Sequence, residues 1–347
     1  MKKIFGLLFI VLVVIGGFIG YTLYKPSVSN KEGTFFYITD NDNLTTVKEK
    51  LVAGKFIKGD GFDLTCKILR FKEPKPGRYK LKDGMSLLKL VRKLRSGDQE
   101  LVKMTIVKER TKELLAGKFH KKFDTQPDSL QMMAFLGSND SLEKYEVDTS
   151  TVMAVVMPYT YEVKWNTTPG RIFQQFYTAW QKFWTEERKA KAAALQLTPL
   201  EVSTLASIVE EETNKTDDRM NVASTYINRL KQGMRLQADP TVKFITRNFQ
   251  LGRITGAHLK LESPYNTYLH AGLPPGPICT PSIESLDAVL NAPVTDYLFF
   301  VASYKFDGST VFTSNLDDHN KFVRLFHAEQ NRRADSIRKL RENQLPK

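Results

Sequence analysis

At 347 residues the chain has room for two or three domains, and 41% hydrophobic with 26% charged residues excludes a disordered or low-complexity protein. Lys+Arg 51 against Asp+Glu 38 leaves a formal net charge of +13, which either favours an anionic partner (nucleic acid, anionic lipid, an acidic polymer such as cell-wall glycan) or marks a basic surface that is only solvated. Cys66 and Cys279 lie far apart without metal-ligand spacing, which predicts free, buried thiols and no zinc site.

Lys2 and Lys3 precede Ile4 to Tyr24, a run without a charge that is long enough to cross a hydrocarbon core of ~30 Å. The lysines place the N-terminus in the cytoplasm and the rest of the chain outside the cytoplasmic membrane. A cleaved signal peptide is the rival reading, but its apolar region is normally shorter, and no Ala-x-Ala-like site follows. No cysteine follows either, which disfavours lipoprotein processing. The expectation is an uncleaved single-pass anchor over 1–24, which removes nucleic acid from the partners. Residues 25–33, polar and containing Pro26 and Gly33, read as a linker.

From Thr34 to Ile106 a weak repeat recurs. Phe36, Leu44, Val47, Leu51 and Gly54 correspond to Tyr79, Leu87, Leu90, Leu94 and Gly97. Each copy reads as a strand, a turn and an amphipathic helix closed by glycine, enough for a small α+β module over 34–106, although chance likeness of two such patterns gives the same correspondence. The second helix, Ser86 to Ser96, carries Lys89, Arg92, Lys93 and Arg95 for an acidic polymer or for solvent.

A larger mixed helical and β domain is expected over 107–347. Thr105 to Val107 reads as a strand entering it, Lys108 to Tyr145 as polar and helical, and Met153 to Tyr159 as a strand ending at Pro158. Thr160, Tyr161 and Trp165 then form a loop whose rings either stack on sugars or fill the core. Thr168-Pro169 starts a long helix running to the alanines before Leu197, with Ile172, Phe173, Phe176, Trp180 and Trp184 as a core stripe.

The next stretch, Thr198 to Thr213, opens on a Thr-Pro-Leu-Glu capping box and continues with an apolar face of Leu200, Val202, Leu205, Ala206, Ile208 and Val209. Three glutamates crowd its end. At helical spacing Glu211 falls beside Thr204 and Ser207 on the polar face, and Glu210 falls at the margin. Glu212 follows Val209 and Ile208 by three and four residues and so projects from the apolar stripe. An acid there either reaches water or an arginine, or stays buried with a raised pKa, as a general acid near neutral pH requires.

A helix over Arg219 to Gln232 turns Val222, Ala223, Tyr226, Ile227 and Leu230 inward and stops at Gly233. Met234 to Val242 reads as extended, with Gln237 and Asp239 sharing one face. Ser263 to Tyr268 and Gly272 to Pro277 read as rigid loops suited to a polar, neutral ligand such as a sugar. Thr280-Pro281 opens a helix to Asn291, Tyr297 to Tyr304 and Thr310 to Thr313 form a hairpin, and a last helix ends in a basic tail.

ASIVEEET, VASTYINRL, GMRLQADPTV, PYNTY, GLPPGPICTPS and a terminal His-Asn before a helix, in this order over about residues 198 to 325, resemble the endolytic murein transglycosylases of the MltG (YceG-like) family. Residues 158 to 161 look like the family's Pro-x-Thr-Tyr loop. The resemblance implies a membrane anchor, a LysM-like module over 34–106 and a catalytic domain. It also implies cleavage of the β-1,4 bond between N-acetylmuramic acid and N-acetylglucosamine in nascent strands, ending their elongation. The second glutamate of the family's Glu-x-Glu-Thr element maps onto Glu212; the intervening Glu211 stands where the family commonly has lysine. By similarity Gln237, Asp239, Tyr265, Asn266 and Thr267 line the glycan cleft.

The expectation is therefore an α+β, membrane-anchored lytic transglycosylase without metal or cofactor, whose partners are peptidoglycan strands and the wall synthases that make them. Two alternatives stay open: a non-catalytic glycan-binding subunit of the wall-synthesis machinery, and a two-carboxylate muramidase with Asp239 as second acid.

Overall fold

The structure, a computed structural model, describes residues 2–30, 33–120, 123, 128–213 and 215–344. The chain divides into two compact units, one formed by 1–104 with 121–128 and 161–168, the other by 105–120, 129–160 and 169–347.

In the first unit α1 (Lys2–Tyr24) carries apolar side chains exposed on every face from Ile4 to Ile15. It is long and apolar enough to cross a membrane. The repeat has a structural basis. β1 (Phe35–Ile38) leads into α2 (Leu44–Ala53), and after α3 (Phe62–Ile68) β2 (Gly77–Lys80) leads into α4 (Leu87–Ser96). β1 and β2 pair antiparallel with Phe36 opposite Tyr79, so equivalent residues of the two copies face each other in one core with Val47, Leu51, Leu90 and Leu94. The glycine stops differ. Gly97 is left-handed (φ 73°), whereas Gly54 is not (φ −75°) and Lys55 takes the left-handed position.

The segment 25–33, read as a linker, is packed into this unit over 27–30. Val28 is buried, Ser27 and Val28 donate backbone N–H groups to the Met85 carbonyl, and Asn30 Nδ2 donates to Leu81 O at 2.7 Å. The strand expected at 105–107 lies earlier, as β3 (Val102–Thr105), because burial alternates from Val102 onwards.

The second unit is mainly helical, with α5 (Lys112–His120), α6 (Ser129–Leu136) and α7 (Asn139–Leu142) at its start. The strand expected at 153–159 is instead a 3-10 turn, Val152–Val155. Residues 152–157 are all buried, and a short, fully buried apolar run carries no period that separates strand from helix. Asp148 Oδ1 decides it by accepting from the Ser150 and Thr151 amides at 2.8 Å, which winds the chain into the turn. The strand comes after Pro158 as β4 (Thr160–Val163), which pairs with β3, so the expected aromatic loop starts as a strand. Tyr161 and Trp165 are buried, with Trp165 against Tyr37 at 5.1 Å. These two rings fill core.

The long helix expected from Pro169 is two, α8 (Pro169–Phe183) and α9 (Glu186–Ala194), because Thr185 caps the second by accepting from the Arg188 amide. α10 (Pro199–Glu212) has the expected capping box. Its expected polar face is buried as well: Ser203 and Ser207 have no exposure, and every residue from Val202 to Glu210 is inside. α11 (Thr216–Lys231), α12 (Asp239–Thr246) and α14 (Ile283–Leu290) pack around it, with the short α13 (Gly256–Leu259) between the last two in sequence. The extended stretch after Gly233 ends at Ala238, since Asp239-Pro240 starts α12. The helix expected from Thr280 begins at Ile283, where Ser282 caps it. β5 (Phe299–Ala302) and β6 (Thr310–Thr313) form the hairpin, and α15 (Leu316–Gln344) closes the chain.

Gly276 shows how closely the proline-rich loop is seated. A Cβ there would lie 2.0 Å from the Ser150 carbonyl oxygen, a backbone atom that cannot step aside. Gly276→Ala is expected to cost about 1–3 kcal/mol, read as a lowered urea midpoint with an unchanged slope.

Candidate active site

The three glutamates at the end of α10 receive three different environments. Glu210 is the most buried. Ser282 Oγ and Ser285 Oγ (2.6 Å) donate to its Oε2, and Lys108 Nζ stands 3.7 Å from Oε1. Burial pushes this carboxyl up, but the two hydroxyls and the lysine outweigh it and hold it below the ordinary range. Glu211 accepts a two-pronged hydrogen bond from Arg110, 3.0 Å to each oxygen, and lies 3.3 Å from Lys108.

Glu212 forms no ion pair among the described residues. Its Oε1 accepts from Tyr226 Oη, on α11, at 2.5 Å. The residue as a whole is half-buried, but its carboxyl is desolvated, and that desolvation, with the negative charge of Asp239 added, raises its pKa to about 7 against the pull of the Tyr226 hydrogen bond. The Tyr226 hydroxyl is itself pushed up by burial and by Glu212. A neutral phenol donor beside a desolvated carboxyl, with Lys243 and Arg229 acting only as weaker opposing charges, leaves Glu212 able to hold a proton near neutral pH and to give it up.

Asp239, at the start of α12, accepts from Tyr268 Oη at 2.6 Å. Arg229, on α11, is buried and donates to the carbonyls of Leu298 (2.6 Å) and Leu236 (2.7 Å), which fixes the chain leading to Gln237. Burial lowers its pKa, while Tyr226, Tyr268 and Glu212 act in the opposite direction.

Gln237 is exposed with φ 51°, an uncommon value for a residue with a side chain. Buried Leu236 and Ala238 flank it, so the expected alternation is present. Thr267 holds this conformation: its carbonyl accepts from Gln237 N at 3.1 Å and its Oγ1 from Ala238 N at 2.9 Å. Tyr265 is half-buried against Phe244 of α12, ring centroids 4.9 Å apart. Asn266 is fully buried, its amide donating to Leu259 O and Leu261 O and its Oδ1 accepting from Tyr268 N. The structure thus brings Glu212, Asp239 and Tyr268 into electrostatic reach of one another and leaves Gln237 at the surface. It commits the side chains of Asn266 and Thr267 to shaping the loop.

The hairpin and the start of α11 add a wall that the motifs leave mostly unmarked. A cavity of about 280 Å³ beside Glu212 is lined by Lys215, Asp218, Phe300, Ser303, Phe306 and Thr310, among others. Tyr226 and Tyr268 were also missed as site residues. Tyr226 was legible as inward-facing on its helix, and Tyr268 directly follows the Pro-Tyr-Asn-Thr run, but neither pattern says which carboxyl a phenol meets.

The model of the YceG-like family matches residues 36–325. The chain belongs to that family. Its similarity to the endolytic murein transglycosylase of Streptococcus pneumoniae strain R6 is 26% identity over 91% of this chain and 63% of the relative. The enzyme of the same name from Bacillus subtilis strain 168 is 42% identical over 37% of this chain and 35% of its own length. The chain therefore spans less than two thirds of the curated relatives it matches. The crystal structure of a YceG-like protein from Listeria monocytogenes aligns with a TM-score of 0.55 at 25% identity, covering 84% of this chain and 99% of that one.

The raised pKa makes a stability prediction. Unfolded, the Glu212 carboxyl ionises near 4.5; folded, near 7. Between these values the native state keeps a proton that the unfolded state has lost, so raising the pH across this window destabilises the fold, by up to about 3 kcal/mol above pH 7. Glu212→Gln has no such proton. Urea titrations at pH 4 to 8 should show the variant gaining on the wild type through this window and then running parallel. Parallel curves throughout would mean that Glu212 titrates like a surface acid.

Proposed function

We propose that this YceG-like chain is a membrane-anchored endolytic lytic transglycosylase of peptidoglycan, with Glu212 as its single acid and base. The observation that carries the reading is the sorting of the three glutamates, which leaves one carboxyl desolvated, without an ion pair among the described residues, and able to exchange a proton near pH 7. The name shared by the relatives supports the substrate class.

A glycosidase that uses water normally needs two carboxyl groups. In the lytic reaction the C6 hydroxyl of the muramic acid replaces water. Protonated Glu212 gives its proton to the glycosidic oxygen, and the bond from that oxygen to muramic C1 breaks. The resulting carboxylate then takes the C6 hydroxyl proton as that oxygen bonds to C1. The products are a free N-acetylglucosamine 4-hydroxyl and a 1,6-anhydromuramic end, and Glu212 is protonated again. Tyr226 hydrogen-bonds Glu212 in both states, while Gln237, Asp239 and Tyr265 border the glycan path on loops that Asn266 and Thr267 hold. Cutting within nascent strands ends their elongation and places the enzyme beside the synthases that make them. The muramidase reading, with Asp239 as second acid, draws on the influence of Asp239 on Glu212.

Glu212→Gln should lose at least about 10²–10⁴-fold in activity at an unchanged melting temperature or a raised one. Glu211→Gln should stay within a few-fold of wild type, and wild-type activity should decline as pH rises through about 7. The assay is mass spectrometry of fragments from uncrosslinked glycan, in which anhydro ends are one water lighter than the reducing ends a muramidase leaves. A Glu212→Gln enzyme cutting at near wild-type rate would sink the assignment.

The reading also takes α1 as a retained anchor with N-terminus inside, and the 34–106 module as LysM-like, binding glycan through the basic surface of α4. Lys89 and Arg92 are exposed there. Replacing both with glutamate should lower co-sedimentation with purified wall several-fold and leave the melting temperature in place; unchanged sedimentation would mean that the module serves another purpose.

A further inference from the structure

The cavity that Glu212 lines is poorly made for a sugar ring. Its wall carries Phe300, Phe306 and Phe326. Its hydroxyls are already engaged. Thr310 Oγ1 donates to Asp218 Oδ2 at 2.7 Å and Ser309 Oγ to Asp307 Oδ1 at 2.6 Å, while Ser303 Oγ and Thr213 Oγ1 accept from the amides of Lys305 and Lys215. A pyranose seated there would press its own hydroxyls onto phenylalanines. At about 280 Å³ the cavity also lies at the small end of ligand sites, so it suits an appendage of a polymer and not the polymer itself.

One residue of this wall is not accounted for by core packing. Phe306, on the hairpin, has φ 55°, a costly value for a bulky side chain, and is nevertheless 37% exposed. Its ring is fixed in place, stacked on Phe326 of α15 with centroids 5.0 Å apart and with the Arg333 guanidinium 4.4 Å from its centre. Phe300 meets Tyr226, the phenol that hydrogen-bonds Glu212, with centroids 5.8 Å apart. The aromatic wall thus runs from the hairpin turn to the partner of the acid.

Two charged atoms on the lining have no partner among the described residues, the Lys215 amine and the second carboxylate oxygen of Asp218. The amine stands at Gly308, also on the lining, 3.0 Å from where a Cβ would lie. A donor and an acceptor on an apolar wall suit a neutral group that has both, as an amide does. A carboxylate would instead meet the charge of Asp218. In a peptidoglycan strand the muramic acid differs from its neighbour by a lactyl ether on C3, two bonds from the C1 at which the strand is cut. That arm continues as a peptide, methyl groups alternating with amides. We propose that this cavity is a pocket for the lactyl-peptide arm, with Phe306 as its fixed wall and Lys215 and Asp218 facing its amides, and that it makes the chain selective for strands that carry peptide stems. The inference rests on the glycan-cleaving reading.

The full-length chain, held in nanodiscs, is given two preparations of one uncrosslinked glycan. One bears its peptide stems; the other is stripped by an amidase, so that each lactyl group ends in a carboxylate. Mass spectrometry of the new ends gives kcat/KM for each. The wild type should prefer the stem-bearing strand about tenfold, through KM. In Phe306→Ala, and separately in Lys215→Met at an exposed position, that ratio should fall toward one. A general loss of fold or chemistry lowers both rates and leaves the ratio in place. A wild-type ratio near one, or a ratio that survives both substitutions, overturns the inference. Calorimetry of the same two glycans on Glu212→Gln should repeat the ratio in Kd. A wild-type chain that cuts neither strand would therefore sink the catalytic reading, while the Kd ratio still decides the pocket.

Discussion

Helix α10 has no side open to water between Val202 and Glu210, so its polar groups must be satisfied inside the protein. Ser203 and Thr204 turn back to the carbonyls of Pro199 and Leu200. Ser207 donates to Thr204 O and accepts the Ile278 amide at 2.9 Å, which joins the proline-rich loop to the helix. The harder case is the C-terminus, where the helix dipole places negative potential and the sequence adds three carboxyl groups. Lys108 and Arg110 resolve two of them. The third is left to a phenol, which donates a hydrogen bond without supplying charge. The proton affinity of Glu212 is set by desolvation, with Asp239 adding to it and the Tyr226 hydrogen bond opposing it.

The same economy governs the loops. Gln237 sits in a left-handed conformation because Thr267 fixes the amide on either side of its carbonyl, and Asn266 holds the following turn from a fully buried position. Motif residues of two separate runs therefore serve in two ways: Gln237 presents its side chain outward, and Asn266 and Thr267 give up theirs to define where it stands. A substitution at Asn266 or Thr267 would act on the loop conformation, and one at Gln237 or Asp239 would change an exposed side chain.

Much of this was legible in the sequence where periodicity and burial agree. The capping box of α10, the inward face of α11, the 36/79 correspondence and the alternation around Gln237 are all consequences of a two-sided environment. Two of the departures have one origin. Residues 152–157 and the Ser203, Thr204 and Ser207 row are buried irrespective of polarity, and a pattern argument reads polarity as exposure. The wheel placed Glu212 on the apolar stripe, and its carboxyl is indeed desolvated, yet Glu210 is the more buried residue. Periodicity gave the direction of each side chain from α10. It carried no information on Lys108, Arg110 or Tyr226, which arrive from elsewhere in the chain and give each acid a different partner.

The junction between α1 and the first unit has a further consequence. Thr22 and Leu23 are buried, and Gly61, at φ 81°, leaves the space that Thr22 fills, since a Cβ there would lie 2.4 Å from the threonine methyl. The following residues, Ser27 to Asn30, are hydrogen-bonded to the module without slack. With α1 in a bilayer, the module is then a rigid bracket on a post and not a weight on a string. Its height above such a bilayer and its tilt would then be set by the protein, at one fixed distance from the end of α1.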